Sequence, residues 1–108
     1  MTDGDVVARL RAMCGGPRDG ALLRVSLANA LAAVGDRESA ISELRRAVAF
    51  DTGYSAAWKL LGKTLAETGD AAGAIDAYEH GIGAAIRGGD KQAEKEMRVF
   101  LKRLQKNQ

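Results

Sequence analysis

Apolar residues recur at helical spacing in six segments of the 108-residue chain, and glycine, proline or aspartate separates these segments. In the first segment, Val6, Leu10 and Met13 stand at i, i+4 and i+7, on one face of a helix. The pattern predicts an all-α chain with antiparallel neighbouring helices and no sheet. The predicted helices cover residues 5–14, 19–34, 37–51, 54–68, 71–87 and 90–106.

Glycine–aspartate pairs mark two of the breaks, Gly35-Asp36 and Gly69-Asp70. Glycine adopts the left-handed conformation that closes a helix, and aspartate accepts hydrogen bonds from the free N–H groups at the start of the next one. We therefore expect a tight turn and a capped helix at both pairs. The other predicted capping residues are Asp3 or Asp5, Asp19 and Asp90.

The two central helix pairs repeat each other without a gap. Laying residues 21–54 over residues 55–88 gives seven identities, and they fall on the apolar stripes and on the turn. The identical pairs are Leu27/Leu61, Leu31/Leu65, Ala32/Ala66, Gly35/Gly69, Asp36/Asp70, Ala40/Ala74 and Ile41/Ile75. A shared turn at the same offset favours a true internal repeat.

The second copy resembles the tetratricopeptide repeat, a helix–turn–helix unit of 34 residues. The resemblance rests on a tryptophan, leucine and glycine at family spacing, followed by an alanine and an aromatic residue. These residues are Trp58, Leu61, Gly62, Leu65, Ala74 and Tyr78. The first copy departs from the family at Arg24, which stands where the family favours tryptophan.

The resemblance implies helix pairs stacked as a short right-handed superhelix, an α-solenoid. We interpret residues 1–108 as a single domain of this kind, with repeats at 21–54 and 55–88. The helix at 5–14 then precedes the repeats, and the helix at 90–106 caps them. A cap is needed because the last repeat would otherwise expose an apolar face.

The predicted core follows the same stripes. Small residues at Gly62 and Gly81 are expected where helices approach closely. The residues expected to be largely buried in the repeats are Trp58, Leu61, Leu65, Ala74, Tyr78, Leu27, Leu31, Ala40, Ile41 and Leu44. The apolar stripes of the first repeat also include Leu23, Val34, Ala47, Val48 and Phe50. The last helix is expected to dock through Ala93, Met97, Phe100, Leu101 and Leu104.

Charge and composition limit the possible functions only slightly. The net charge is +2, and residues 89–108 carry a net +3. Nucleic-acid binding through this basic last helix is therefore an alternative, although no aromatic stacking platform accompanies it. We expect a cytoplasmic protein without a signal sequence or membrane span, because no apolar run approaches about 18 residues.

The sequence contains no recognisable catalytic constellation. Cys14 is the only cysteine and His80 the only histidine, and they lie on different predicted helices. We interpret Cys14 as a free or half-buried thiol and His80 as a surface residue. The chain is therefore predicted to be non-catalytic and to need no cofactor or metal.

In proteins of the resembled family, the first helix of each repeat lines a concave groove that holds a peptide or a partner helix. The resemblance thus implies a protein–protein interaction module with an unidentified, acidic protein or peptide partner. The residues expected to line the groove are Val25, Asn29, Lys59, Lys63 and Glu67. The alternative is a structural role, in which the repeats associate into a homodimer.

Overall fold

The computed structural model describes residues 1–107, and this range folds into six helices and no strand. The helices are α1 (Asp3–Met13), α2 (Ala21–Ala33), α3 (Arg37–Phe50), α4 (Ser55–Glu67), α5 (Ala71–Gly88) and α6 (Lys91–Lys106). The all-α fold, with sequential helices packed as antiparallel pairs, confirms the fold class predicted from the sequence. Every helix end lies within two residues of its predicted position.

Three turns have the same geometry. Gly35, Gly69 and Gly89 have φ angles of 83°, 85° and 71°, in the left-handed region that side chains disfavour. The aspartate after each glycine donates its backbone N–H to a carbonyl of the preceding helix, at 2.8–2.9 Å. Its carboxylate then accepts the N–H three residues further on, at 2.8–3.1 Å. One glycine–aspartate pair therefore ends one helix and begins the next, as predicted.

Two of the predicted caps are wrong. The first helix is capped by Thr2, whose hydroxyl accepts the Asp5 N–H at 3.2 Å while the Asp5 carboxylate accepts the Thr2 N–H at 3.0 Å. This reciprocal capping box moves the helix start to Asp3. The second helix begins after Gly20, without a side-chain cap, because the Asp19 carboxylate is engaged by Arg24.

The chain forms two compact units, Met1–Asp51 and the segment from Thr52 onwards. In the first unit α2 packs against α1 and α3, around Leu27, Leu31 and Leu44, which are at most 1% exposed. In the second unit α5 packs between α4 and α6, around Leu61 and Met97. The interpretation of residues 1–108 as a single domain stays a prediction.

Arg24 is buried where the family favours tryptophan. Its guanidinium lies 2.7 Å from a carboxylate oxygen of Asp19 and 2.7 Å from one of Glu43. It also lies 5.9 Å from the centre of the Phe50 ring, within the range of a cation–π contact. The two carboxylates compensate the burial of the charge, so the arginine joins α2 to α3 at this position.

Glycines allow the close packing predicted in the second unit. A Cβ atom on Gly62 would lie 2.6 Å from the Tyr78 ring, and one on Gly81 would lie 2.5 Å from Met97 Sδ. Both distances are shorter than side chains tolerate, so α4, α5 and α6 could not pack this closely around larger residues. The predicted docking face of α6 is buried at Ala93 and Met97, whereas Phe100, Leu101 and Leu104 are half-buried.

In the repeats, four residues of the predicted apolar stripes are more exposed than expected. Trp58 and Ile41 are half-buried. Val34 is exposed because it forms the cap after the last residue of α2, and Phe50 is exposed at the end of α3 beside Arg24. The Trp58 indole reaches the surface because its N–H donates to the Thr52 carbonyl, at 2.9 Å.

Candidate functional site

A cavity of about 640 Å³ opens along α4 and α6 in the second unit. We call it the α4–α6 cavity. It is lined by Lys59, Leu60, Lys63, Ala66 and Glu67 from α4, Tyr78 from α5, and Glu96 and Phe100 from α6. Because α5 contacts both of the other helices, its Tyr78 side chain lies between them and forms part of the floor.

Aromatic residues form the apolar part of this cavity. The Tyr78 and Phe100 rings are tilted by 40°, with their centres 5.7 Å apart, in an arrangement that aromatic pairs favour. Leu60 and Ala66 are half-buried beside them. Burial raises the pKa of the Tyr78 hydroxyl, and the negative charge of Glu67 raises this pKa further. Tyr78 is therefore a neutral floor residue at physiological pH.

Charged residues line the rim. Lys59 Nζ lies 3.2 Å from Glu96 Oε1, so this ion pair crosses from α4 to α6. The Lys59 and Glu96 side chains are 35% and 39% exposed, which leaves the pair accessible to water and to a competing ion. Lys63 stands one helical turn further along α4, is exposed, and makes no hydrogen bond or ion pair with any described residue.

The structure brings together three of the five residues expected to bind a partner. Lys59, Lys63 and Glu67 line the α4–α6 cavity, as their spacing on one helical face implies. Val25 and Asn29 lie on α2 in the other unit, where Val25 is half-buried and Asn29 is exposed. The binding role of all five residues stays a prediction.

Sequence reasoning missed the opposite side of this cavity. Glu96 carries no sequence signal, because it is one of several charged residues on α6 and nothing local indicates that it reaches Lys59. Phe100 was predicted to be core, yet it is half-exposed and faces the cavity. Leu60 could have been found from its position beside Lys59 and Lys63, because a helix that lines a groove presents adjacent columns of side chains.

The other candidate residues, His80 and Cys14, do not line the α4–α6 cavity. The His80 ring stacks on Trp58 at a centre distance of 4.9 Å, and its Nδ1 lies 2.9 Å from the Asp76 carbonyl. Cys14 is half-buried, with its sulfur 3.6 Å from the Leu10 carbonyl. Within residues 1–107, no group of three His, Cys, Asp or Glu side chains is arranged to hold a metal ion.

The structure thus contains helix–turn–helix pairs joined by repeated glycine–aspartate turns, and this combination defines a class of helical repeat proteins. Residues 21–64 match the family described as tetratricopeptide repeat. The chain is 52% identical over 86 residues to TPR repeat-containing protein PA0015 from Pseudomonas aeruginosa. The aligned stretch covers 80% of this chain and 82% of that protein. The chain therefore belongs to the tetratricopeptide repeat family.

Two solved structures share the fold. The solution structure of protein BPP2914 from Bordetella parapertussis has a TM-score of 0.77 and 45% identity, covering 94% of this chain and 89% of that one. The structure of the Type III secretion translocator chaperone SycD from Yersinia enterocolitica has a TM-score of 0.86, and the match covers 97% of this chain and 73% of that one. At 14% identity, SycD supports the fold alone.

The tetratricopeptide fold is typical of protein–protein interaction modules, and the family is generally non-catalytic. Among the helices of residues 1–107, none is both long and apolar enough to cross a membrane.

Proposed function

We propose that the protein is a non-catalytic adaptor or scaffold that binds a short segment of a partner protein. Lys59, Lys63 and Glu67, three of the five residues predicted to bind the partner, line the α4–α6 cavity, and this cavity carries the proposal. The occupant is an extended segment with one large apolar side chain and an acidic residue beside it. The observation behind this choice is an apolar floor with Lys63 on its rim, a cation that makes no ion pair with any residue of the described range 1–107.

The size of the cavity supports a peptide occupant. A volume of about 640 Å³ falls within the range of about 300–1,000 Å³ found for ligand sites in proteins. The floor of Leu60, Tyr78 and Phe100 supplies apolar and aromatic surface, which is the usual anchor for a partner side chain. Because the cavity extends along little more than two turns of α4, a short segment fills it.

Charge supports an acidic partner. The lining carries Lys59 and Lys63 against Glu67 and Glu96, so its formal charge is balanced. The Lys59–Glu96 pair is close to neutral, and Lys63 is the rim cation that makes no ion pair with a residue of the range 1–107, so it is available to an acidic group of a partner. An exposed cation adds little affinity but favours partners of opposite sign. With one apolar anchor and one charge contact, we expect micromolar affinity, about −8 kcal/mol or weaker.

The test begins with selection from a displayed library of random eight-residue peptides. We expect the wild-type protein to enrich peptides that carry Leu, Phe or Met within two positions of Asp or Glu. Fluorescence anisotropy of a selected peptide then gives its affinity. The variant carrying Lys59→Glu and Lys63→Glu should lose binding because both reversals place negative charge on the rim.

The matched control carries Lys91→Glu and Lys95→Glu. These two lysines have the same spacing on an exposed part of α6 but do not line the α4–α6 cavity. This variant should bind like the wild type, and circular dichroism checks that both variants remain helical. Equal loss in both variants, or enrichment of peptides without acidic residues, would contradict the proposed site.

Light scattering separates the proposal from self-association. A monomer that binds the selected peptides supports the adaptor role. A dimer that excludes these peptides, and dissociates when Lys59 and Lys63 are reversed, would support the homodimer instead. Binding to nucleic acid through α6 would appear as affinity that falls steeply with salt and is lost in the variant reversed at Lys91 and Lys95.

A further inference from the structure

Glu96 differs from Glu94, the other acidic residue of α6, in its partner. Glu94 pairs with Arg98 on its own helix, at 2.9 Å and four residues apart. The Glu96 carboxylate instead reaches across to α4 and contacts Lys59 at 3.2 Å, on the rim of the α4–α6 cavity. A carboxylate in this place occupies the position where an acidic group of a partner would meet Lys59.

We infer that Glu96 is a specificity-determining residue. Because it pairs with Lys59, it limits the cavity to partner segments with one acidic group, and this group binds Lys63. This inference rests on the proposed function. A second acidic group on the partner would have to displace Glu96 from Lys59, and Glu96 would then repel it as a neighbouring like charge. The ion pair thus disfavours doubly acidic segments without blocking the apolar floor.

The geometry identifies which doubly acidic segments are affected. Lys59 and Lys63 are four residues apart on α4, so their Cβ atoms are separated by about 5–6 Å. In an extended peptide, side chains two residues apart point the same way and are about 6.5–7 Å apart. Acidic residues at positions i and i+2 of a bound segment can therefore reach both lysines at once.

The exposure of Lys59 and Glu96 allows Lys59 to exchange Glu96 for an acidic group of the partner. Both partners of the Lys59–Glu96 pair are more than a third exposed, so the lysine can change partner without losing contact with water. A buried ion pair, such as the one between Arg24 and Asp19, would resist such an exchange because a single ion would be left without compensation.

The test uses two labelled nine-residue peptides that differ at one position. Both carry one Leu and one Glu two positions later, and the second peptide has another Glu two positions after the first. We expect Glu96→Gln to raise the affinity ratio of the doubly acidic to the singly acidic peptide about 1.5- to fivefold, the size of one exposed ion pair. Glu94→Gln is the matched control and should leave this ratio unchanged.

A double-mutant cycle with Lys59→Gln assigns the effect to the ion pair. When Lys59 is replaced, Glu96→Gln should change the ratio by much less, because repulsion alone remains. If the peptides bind wild-type protein but Glu96→Gln leaves the ratio unchanged, the inference fails and the proposed function stands. If neither peptide binds wild-type protein or the Glu96→Gln variant, the proposed function fails as well.

Discussion

Two glycines of α5 allow the packing behind the α4–α6 cavity to be tested with one type of substitution. A Cβ atom on Gly81 would lie 2.5 Å from Met97 Sδ and 2.8 Å from Trp58 Cβ. The nearest atom to a Cβ on Gly83 is Nη1 of Arg87, at 3.3 Å, the end of a flexible side chain on the same helix. Gly81→Ala and Gly83→Ala therefore share their effect on helix propensity and differ in packing.

The expected signs are opposite. Replacing glycine by alanine within a helix contributes about 0.8–1 kcal/mol of stability through propensity. Overpacking a filled core costs about 1–3 kcal/mol. The cost at Gly81 should lie in the upper part of this range, because Trp58 Cβ is attached directly to the α4 backbone and lies about 0.6 Å too close. We expect Gly81→Ala to destabilise by about 1–2 kcal/mol and Gly83→Ala to stabilise by about 0.5–1 kcal/mol.

The assay is urea unfolding followed by tryptophan fluorescence. Trp58 is the only tryptophan and lies in the unit that contains both glycines, so its signal reports on that unit. In a thermal scan, a change of 1 kcal/mol in the free energy of unfolding shifts the thermal midpoint by about 4–8 °C for a domain of this size. Equal stabilisation by both substitutions would refute the reasoning, because it would mean that α4 and α6 do not pack against α5 as closely as the structure shows.

Two further predictions concern α6 and the first unit. Truncation after Gly89 removes α6, including the buried Met97, and should lower the thermal midpoint and cause aggregation; unchanged thermal stability would exclude a capping role for α6. Hydrogen bonds from Arg24, and then from the Gly15 backbone, lower the pKa of Asp19 well below its usual value. Their contribution to stability is therefore fully present above the unfolded pKa of about 3.9 and is lost as the pH falls through the lower folded pKa. We expect the urea midpoint, measured by circular dichroism at pH 7, 5 and 3, to fall less from pH 7 to pH 3 in Asp19→Asn than in the wild type. An equal fall in both proteins would contradict this assignment.

The positions of the helices could be predicted from the sequence because their signals are local. Apolar spacing defines a buried face within a few turns, and a glycine–aspartate pair both ends one helix and caps the next. The same local rules predicted the wrong capping residues for α1, which Thr2 caps, and for α2, where Asp19 was expected. Several capping residues competed at the first site, and at the second the carboxylate bonded to Arg24 instead.

The sequence predicted the α4 side of the α4–α6 cavity but not the α6 side. Lys59, Lys63 and Glu67 were predicted together because spacing on one helix determines which side chains share a face. Glu96 and Phe100 belong to another helix, and their approach to α4 depends on how α6 is rotated when it packs against α5. That rotation is set by contacts such as Met97 against Gly81, which join residues distant in the sequence.

The sequence alone thus determined the helices, the repeat and one wall of the candidate site. Only the tertiary structure decided what faces that wall. It placed Glu96 against Lys59 and left Lys63 without an ion-pair partner among residues 1–107. The physical reason is that helix formation and capping are satisfied within a few residues, whereas the pairing of two charges across a cavity depends on the packing of every helix between them.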